Sequence, residues 1–371
     1  MYLPLFKSFP IMKKPLISGI QQMGIGIPNV HDAFKWYRQT FGMDVPVFDE
    51  AAEAELMLPY TGGEPRSRHA ILALNMQGGG GMEIWQYTSR VPQPATFEIQ
   101  AGDLGLYITK IKARDIMAAY KEIKARQTHM LGGLMDSPVT NRKHFYCKDP
   151  YGNIFEVIEP ASKDHWFKKT KRQTGGIYGA TIGVSNMEAS MKFYKDIMGY
   201  DTVVYDHEQQ WQDFEYMPGG DKTFRRVLLR HSQPRQGAFT NLLGASELEL
   251  IQVMDRTPKK IFENRLWGDL GFIHLCFDIT GMSELRDKCK ALGHPFTVDS
   301  TAGGDVFDMG EAAGRFSYIE DPDGALIEFV EALKVPIMKK IGWYLDLRKR
   351  KPGKPLPNWM IGAMGFGRVK D

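Results

Sequence analysis

Only three cysteines occur in the 371 residues: Cys147, Cys276 and Cys289. Three thiols cannot build a disulfide framework, and their spacing matches no zinc knuckle. They fit a reducing compartment, with Cys276 and Cys289 read as small core side chains. An excess of one charge is also lacking. Against 44 acidic side chains stand 47 basic ones, a net +3, too little to imply a nucleic-acid partner. The surplus collects at residues 163–172 and 348–354, read as solvated linker and tail. No run approaches the roughly 18 apolar residues of a membrane span, so no integral membrane segment is expected. The opening Met1-Tyr-Leu-Pro-Leu-Phe-Lys7 lacks a signal peptide's order of charge, apolar run and cleavage site. Met12 is a candidate initiator, because patterned sequence begins at Ile17. Cytoplasm is the expected location.

What is present is a repeated unit. Gly268-Asp-Leu-Gly-Phe-Ile-His-Leu-Cys-Phe-Asp-Ile279 reads as a strand with His274 set into an apolar run. After a helical pattern and a turn comes Asp321-Pro-Asp-Gly-Ala-Leu-Ile-Glu-Phe-Val330, a strand with Glu328 embedded in the same way. A unit of this form occurs four times. The first starts with a strand at 22–27, then a helix at 30–41 stopped by Gly42, then strands at 43–48, 69–75 and 82–87. Its Gly78–Gly81 run is read as a hairpin loop; no strand-to-helix junction follows that would make it a phosphate cradle. The second unit has a strand at 105–111, a helix at 114–126, and strands at 144–148 and 154–159.

The third unit copies the first. Asn186-Met-Glu-Ala-Ser-Met-Lys-Phe-Tyr-Lys-Asp-Ile-Met-Gly199 parallels residues 29–42, and Leu248-Glu-Leu-Ile-Gln252 matches Met82-Glu-Ile-Trp-Gln86. The fourth copies the second, through Gly102-Asp-Leu-Gly105 and Gly268-Asp-Leu-Gly271. A repeat of about 80 residues is too long for a solenoid and fits duplicated modules. The expected fold is therefore α+β, with four βαβββ modules. Residues 17–160 and 176–333 form two domains, 161–175 a linker, and 334–371 a basic, aromatic tail. That tail is expected to pack across the domains, with a membrane-surface role as the second reading.

The helix sequences Phe34-Lys-Trp-Tyr-Arg-Gln-Thr-Phe-Gly42 and Met191-Lys-Phe-Tyr-Lys-Asp-Ile-Met-Gly199 carry a resemblance. So do the turns Asp149-Pro-Tyr-Gly152 and Asp321-Pro-Asp-Gly324, which lead to Glu156 and Glu328. Over residues 20–160 and 176–332 the chain resembles the vicinal oxygen chelate superfamily. That group includes glyoxalase I, methylmalonyl-CoA epimerase, extradiol dioxygenases and bleomycin-resistance proteins. The resemblance implies pairs of modules closing cup-shaped sheets, each around one divalent metal held by the first and last strands. The first-strand positions are Gln22, Leu106 or Ile108, Gly179 and His274; the last-strand positions are Glu83, Glu156, Glu249 and Glu328. Imidazole with carboxylate and amide oxygens suits Zn²⁺, Ni²⁺, Mn²⁺ or Fe²⁺.

Which units share a cup decides the ligand set. Outer pairing, of units one and four, implies Gln22, Glu83, His274 and Glu328 as metal ligands. Neighbour pairing implies Glu249, His274 and Glu328. Outer pairing is preferred because it gathers the missing ligands into one decayed site holding Glu156 and Glu249. Glu249 is read as facing solvent from an edge strand, and Glu156 as a vestige. His207 and His231 are read as surface residues.

By the same resemblance the expected function is a metal-dependent lyase or isomerase of glyoxalase type. It would chelate the vicinal oxygens of a small carbonyl or hydroxy-carbonyl substrate, with Glu328 as proton-transferring base and Glu83 as the second carboxylate. An extradiol-type dioxygenase and a metal-free binding protein of the bleomycin-resistance type are the alternatives. Gly26 stands where glyoxalase I has an arginine, and Tyr87 where it has an asparagine; both departures disfavour glutathione. Trp85, Tyr87, Arg66 and Arg68 either line a pocket for an aromatic or anionic substrate or serve packing. A monomer is plausible, since four units can complete their sites internally.

Overall fold

The computed structural model describes residues 14–161, 166–301, 307–308, 313–338 and 342–370. The readings placed on residues 1–13, on 162–165 of the linker and on 339–341 of the tail lie outside them. The first unit comprises β1 (Leu16–Gly26), α1 (Val30–Phe41), β2 (Val45–Glu53), β3 (Ser67–Leu74) and β4 (Gly81–Tyr87). In the second are β5 (Gly105–Ala113), α2 (Ile116–Ala125), β6 (His129–Asp136), β7 (Lys143–Lys148) and β8 (Ile154–Ile158). The third holds β9 (Thr174–Gly183), α3 (Met187–Met198), β10 (Thr202–Gln210), β11 (Thr223–Arg230), the one-turn α4 (Thr240–Leu243) and β12 (Glu247–Val253). The fourth runs through β13 (Gly271–Thr280), α5 (Met282–Ala291), β14 (Val298–Asp299), β15 (Phe307–Asp308), β16 (Ala313–Glu320) and β17 (Leu326–Met338).

Helices α1 and α3 are bounded as their sequences dictate. Asn29 accepts the N–H groups of His31 and Asp32, and Asn186 that of Ala189, satisfying first-turn donors. Gly42 and Gly199 follow at φ 71° and 74°, the left-handed conformation that ends a helix without a Cβ clash. Among the described residues no helix is long and apolar enough to cross a membrane.

Two curled mixed sheets result. One has the order β14-β16-β17-β13-β1-β4-β3-β2, with β15 beside β16; the other runs β10-β11-β12-β9-β5-β8-β7-β6. In both, the central seam is antiparallel, β1 on β13 and β5 on β9. The strand order is therefore that of outer pairing: units one and four build one cup, units two and three the other. Residues 17–160 and 176–333 are sequence halves, and each half contributes one unit to each cup. The boundary drawn at 333 falls inside β17, whose extension pairs with β18 (Trp343–Asp346).

Strand alternation separates core from cup. Met23, Ile25, Ile84, Leu275, Phe277, Ile327 and Phe329 point into one apolar core that also takes the buried faces of α1 and α3. The residues between them face the hollow of the first sheet. The tail packs, as expected. Leu356 and Ile361, the latter on α6 (Asn358–Ala363), are buried against Val45, Leu74 and Leu242. Two buried ties join the sheets: Tyr37 donates to Asp149 (2.6 Å) and Tyr194 to Asp321 (2.9 Å).

Candidate functional site

Each of the four central strands of the first sheet brings one polar side chain into the cup. Gln22 comes from β1, Glu83 from β4, His274 from β13 and Glu328 from β17. Register places Gly24 of β1 opposite both Glu83 and His274, and Glu328 opposite Cys276. His274 is fully buried; Gln22 and Glu328 are nearly so. His274 Nε2 lies 3.0 Å from Glu83 Oε2 and 3.1 Å from Glu328 Oε2. The Gln22 amide completes the group, with Nε2 2.8 Å from Glu83 Oε2 and 3.3 Å from Glu328 Oε2.

This cluster fits a bound dication. Among the described residues, Glu83, His274 and Glu328 form the one group of three or more such side chains whose ligand atoms all lie within 4.8 Å of one another. Metal–ligand bonds of about 2 Å require donors this close. Neither ring nitrogen of His274 has a well-aligned hydrogen-bond partner, and the buried Gln22 Oε1 has none either. Buried polar atoms are rarely left so. A half-turn of the amide exchanges Gln22 Nε2 for Oε1 and presents an oxygen to the centre. Burial would lower the His274 pKa, but Glu328 and Glu83 outweigh it and hold it up at about 10. The pocket is thus built to surround positive charge. Burial and the charge on Glu328 push the Cys276 thiol far up, so it offers no thiolate beside the ligands.

Aromatic side chains hold the imidazole. Trp267 stacks on it (centroids 6.2 Å, interplanar 15°) and Tyr318 meets it edge-on at 5.6 Å. Gly24 supplies the remaining space: a Cβ there would lie 2.3 Å from His274 Cε1. Above the cluster opens a cavity of about 800 Å³ whose lining includes Gln22, Glu83 and Glu328.

The alternative set of Glu249, His274 and Glu328 does not come together, because Glu249 belongs to the other sheet. Nor does Glu249 face solvent; it is 1% exposed. Its carboxylate accepts from Tyr205 (2.6 Å), Arg226 Nε (2.7 Å) and Lys110 Nζ (2.9 Å). Lys110 also grips Glu156, which takes His144 Nδ1 at 2.7 Å. Register makes Lys110 the counterpart of Cys276 and Thr181 that of Gly24. An ammonium therefore fills the second cup between the two carboxylates, and Glu156 is a working ion-pair member. The sequence does not mark Lys110, which sits two residues past Ile108, the later of the two positions (Leu106 or Ile108) where a ligand is expected.

Among the remaining readings, His207 is exposed and His231 lies at the surface bonded to Gln233 O. Trp85 and Arg68 line the cavity. Tyr87 instead donates to Trp267 O, and Arg66 pairs with Glu64.

The family model of the Glyoxalase/Bleomycin resistance protein/Dioxygenase superfamily matches residues 19–157 and 176–329. Solved structures share the fold. Glyoxalase I from Zea mays aligns at TM-score 0.51 and 12% identity, over 84% of this chain and 92% of that one. A putative dioxygenase from Bacillus subtilis aligns at TM-score 0.53 and 14% identity, over 86% of both chains. Among curated proteins none matches. With four modules in two cups and the family model spanning both halves, this chain belongs to the Glyoxalase/Bleomycin resistance protein/Dioxygenase superfamily.

Proposed function

We propose that the chain is a divalent-metal enzyme of glyoxalase type, moving a proton between adjacent carbons of a substrate with vicinal oxygens. The observation that carries this reading is the convergence of Gln22, Glu83 and Glu328, at the floor of one cavity, on the buried His274 beneath them. Those four side chains would hold the metal, which supplies Lewis-acid polarisation of the substrate oxygens. Zn²⁺, Ni²⁺, Mn²⁺ and Fe²⁺ all suit one imidazole and three oxygen donors.

The protein's own groups do the rest. Glu328 is the base: it removes the proton alpha to the carbonyl and returns it to the neighbouring carbon. Glu83 is the second carboxylate, beside Gln22 and His274. Trp85, Trp267 and Tyr318 wall the reacting end with apolar surface and keep water from the carbanionic carbon. A single histidine among the ligands favours proton transfer over the two-histidine, one-carboxylate pattern of iron–oxygen chemistry.

Elemental analysis of the purified protein tests the assignment. About one ion per chain is expected, because Lys110 fills the second cup. His274→Ala and Glu328→Ala should lose it, while Glu249→Ala should leave it at the first site. Full metal content in His274→Ala overturns the ligand set. Proton exchange at the alpha carbon of bound α-hydroxyketones in D₂O, lost in Glu328→Gln at unchanged metal content, tests the base.

A further inference from the structure

The lining of the cavity bears on what enters it. Apolar side chains arrive from every direction: Phe48 and Leu72 from the first unit, Phe316 and Val330 from the fourth, Phe239 beside α4, and Met364 from the tail. The space, about 800 Å³, lies toward the upper end of ordinary small-molecule sites. It has room for roughly 25 water-sized groups at about 30 Å³ each. A three-carbon carbonyl compound would leave most of that wall wet.

Charge narrows the class further. Among the described residues the lining carries six acidic side chains and three basic ones, so even a bound dication leaves it net negative. Each basic group is already engaged. Arg68 donates to Glu50 (3.0 Å), Arg315 lies 3.4 Å from Glu331, and Lys334 sits 4.5 Å over the Tyr344 ring. Recognition of a multiply anionic tail needs cations with unspent hydrogen bonds facing it. Phosphate-bearing thioesters and glutathione conjugates would face twice as many carboxylates as cations here, with Arg68 already committed to Glu50.

We infer that this site takes a neutral, largely apolar molecule of some twenty or more non-hydrogen atoms, carrying its vicinal oxygens at one end, as the size and lining imply. The oxygen-bearing end enters first, toward Glu83 and Glu328. The apolar body fills the space between Phe48, Val330 and Met364. Only the orientation of the oxygens rests on the metal reading; the apolar, anion-rejecting character of the body site does not.

Two binding experiments separate those parts. In the first, zinc-loaded protein is titrated calorimetrically with acetohydroxamic acid, octanohydroxamic acid and S-octylglutathione. Burial of each added methylene strengthens binding about fourfold. Octanohydroxamic acid is therefore expected to bind at least about 100-fold tighter than acetohydroxamic acid, and S-octylglutathione, despite an alkyl chain one carbon longer, more weakly than octanohydroxamic acid. In the second, metal-stripped protein is titrated with N-phenyl-1-naphthylamine, a neutral apolar fluorophore, expected to bind at micromolar concentration. Val330→Asp, on the half-buried wall, should weaken the octyl hydroxamate and the fluorophore at least tenfold and leave acetohydroxamic acid unchanged. Equal affinity for the two hydroxamates, or tighter binding of S-octylglutathione, overturns the substrate class. Fluorophore binding with no hydroxamate bound overturns the metal reading and the oxygen orientation, and supports the apolar body site.

Discussion

Gly24 lies between two ligand strands with a buried imidazole laid across its Cα. Trp267 and Tyr318 hold the other faces of the ring, so it has nowhere to retreat from a new methyl group. Gly24→Ala is expected to displace His274 from the carboxylates and weaken zinc binding at least tenfold. The overpacking itself should cost about 1–3 kcal/mol of stability. A competitive zinc titration beside thermal unfolding checks both, and unchanged zinc affinity would remove Gly24 from the site. In the sequence this residue is one of 38 glycines and carries no mark of its own. Only the register of β1 against β13 shows that its missing Cβ is the imidazole's space. The four candidate ligands were legible through the family resemblance, helped for Glu83, His274 and Glu328 by a lone polar residue in an apolar strand; Gln22 follows Gln21 and stands out less. Lys110 was not, because it pairs with carboxylates from a position that the repeat does not mark.

The repeated helix and turn sequences, which made the family legible, touch no ligand of the candidate centre. Their role is architectural. Tyr37 of α1 belongs to the first sheet's unit and Asp149 to the second's; Tyr194 of α3 and Asp321 are arranged the other way. Each pair therefore bolts a helix of one cup to a turn of the other. Burial pushes both carboxyls up, Asp321 to about 6, so each tyrosine donor matters to an otherwise costly acid. Tyr37→Phe and Tyr194→Phe are each expected to cost about 1–3 kcal/mol in urea unfolding at pH 7, with zinc content unchanged. Loss of zinc in either variant would argue that the ties also set ligand geometry. Helix ends were readable from Asn caps and Gly stops. The pairing of β18 with β17 was not, because a four-residue strand on a sheet edge has too short a pattern to distinguish from a loop.

The two cups answer the same demand in different ways. Both gather buried carboxylates at the seam; one leaves room for a dication, and the other closes itself with Lys110 and Arg226. Burial would raise both carboxyls, but Lys110 and His144 at Glu156, and Arg226 and Lys110 at Glu249, outweigh it and hold both below the ordinary 4.5. Carboxylates depressed in this way contribute stability above about pH 4.5 and lose it as pH falls toward their folded values. Lys110→Met should therefore cost about 3–5 kcal/mol at pH 7, with the gap to wild type shrinking at pH 3. A gap of equal size at both pH values in urea unfolding would remove Lys110 from that role. The β1–β13 seam has a further consequence, in time instead of space. During synthesis at about 5–20 residues per second, β1 emerges some 12–50 seconds before β13. Through that interval its outer edge has no strand to pair with, a condition that favours association with other chains. Gln22 and Glu328 meet only after 306 residues of separation are closed. On the proposed assignment the centre would accept an ion only once the chain has closed on itself, and metal content in a fresh preparation would gauge finished folding.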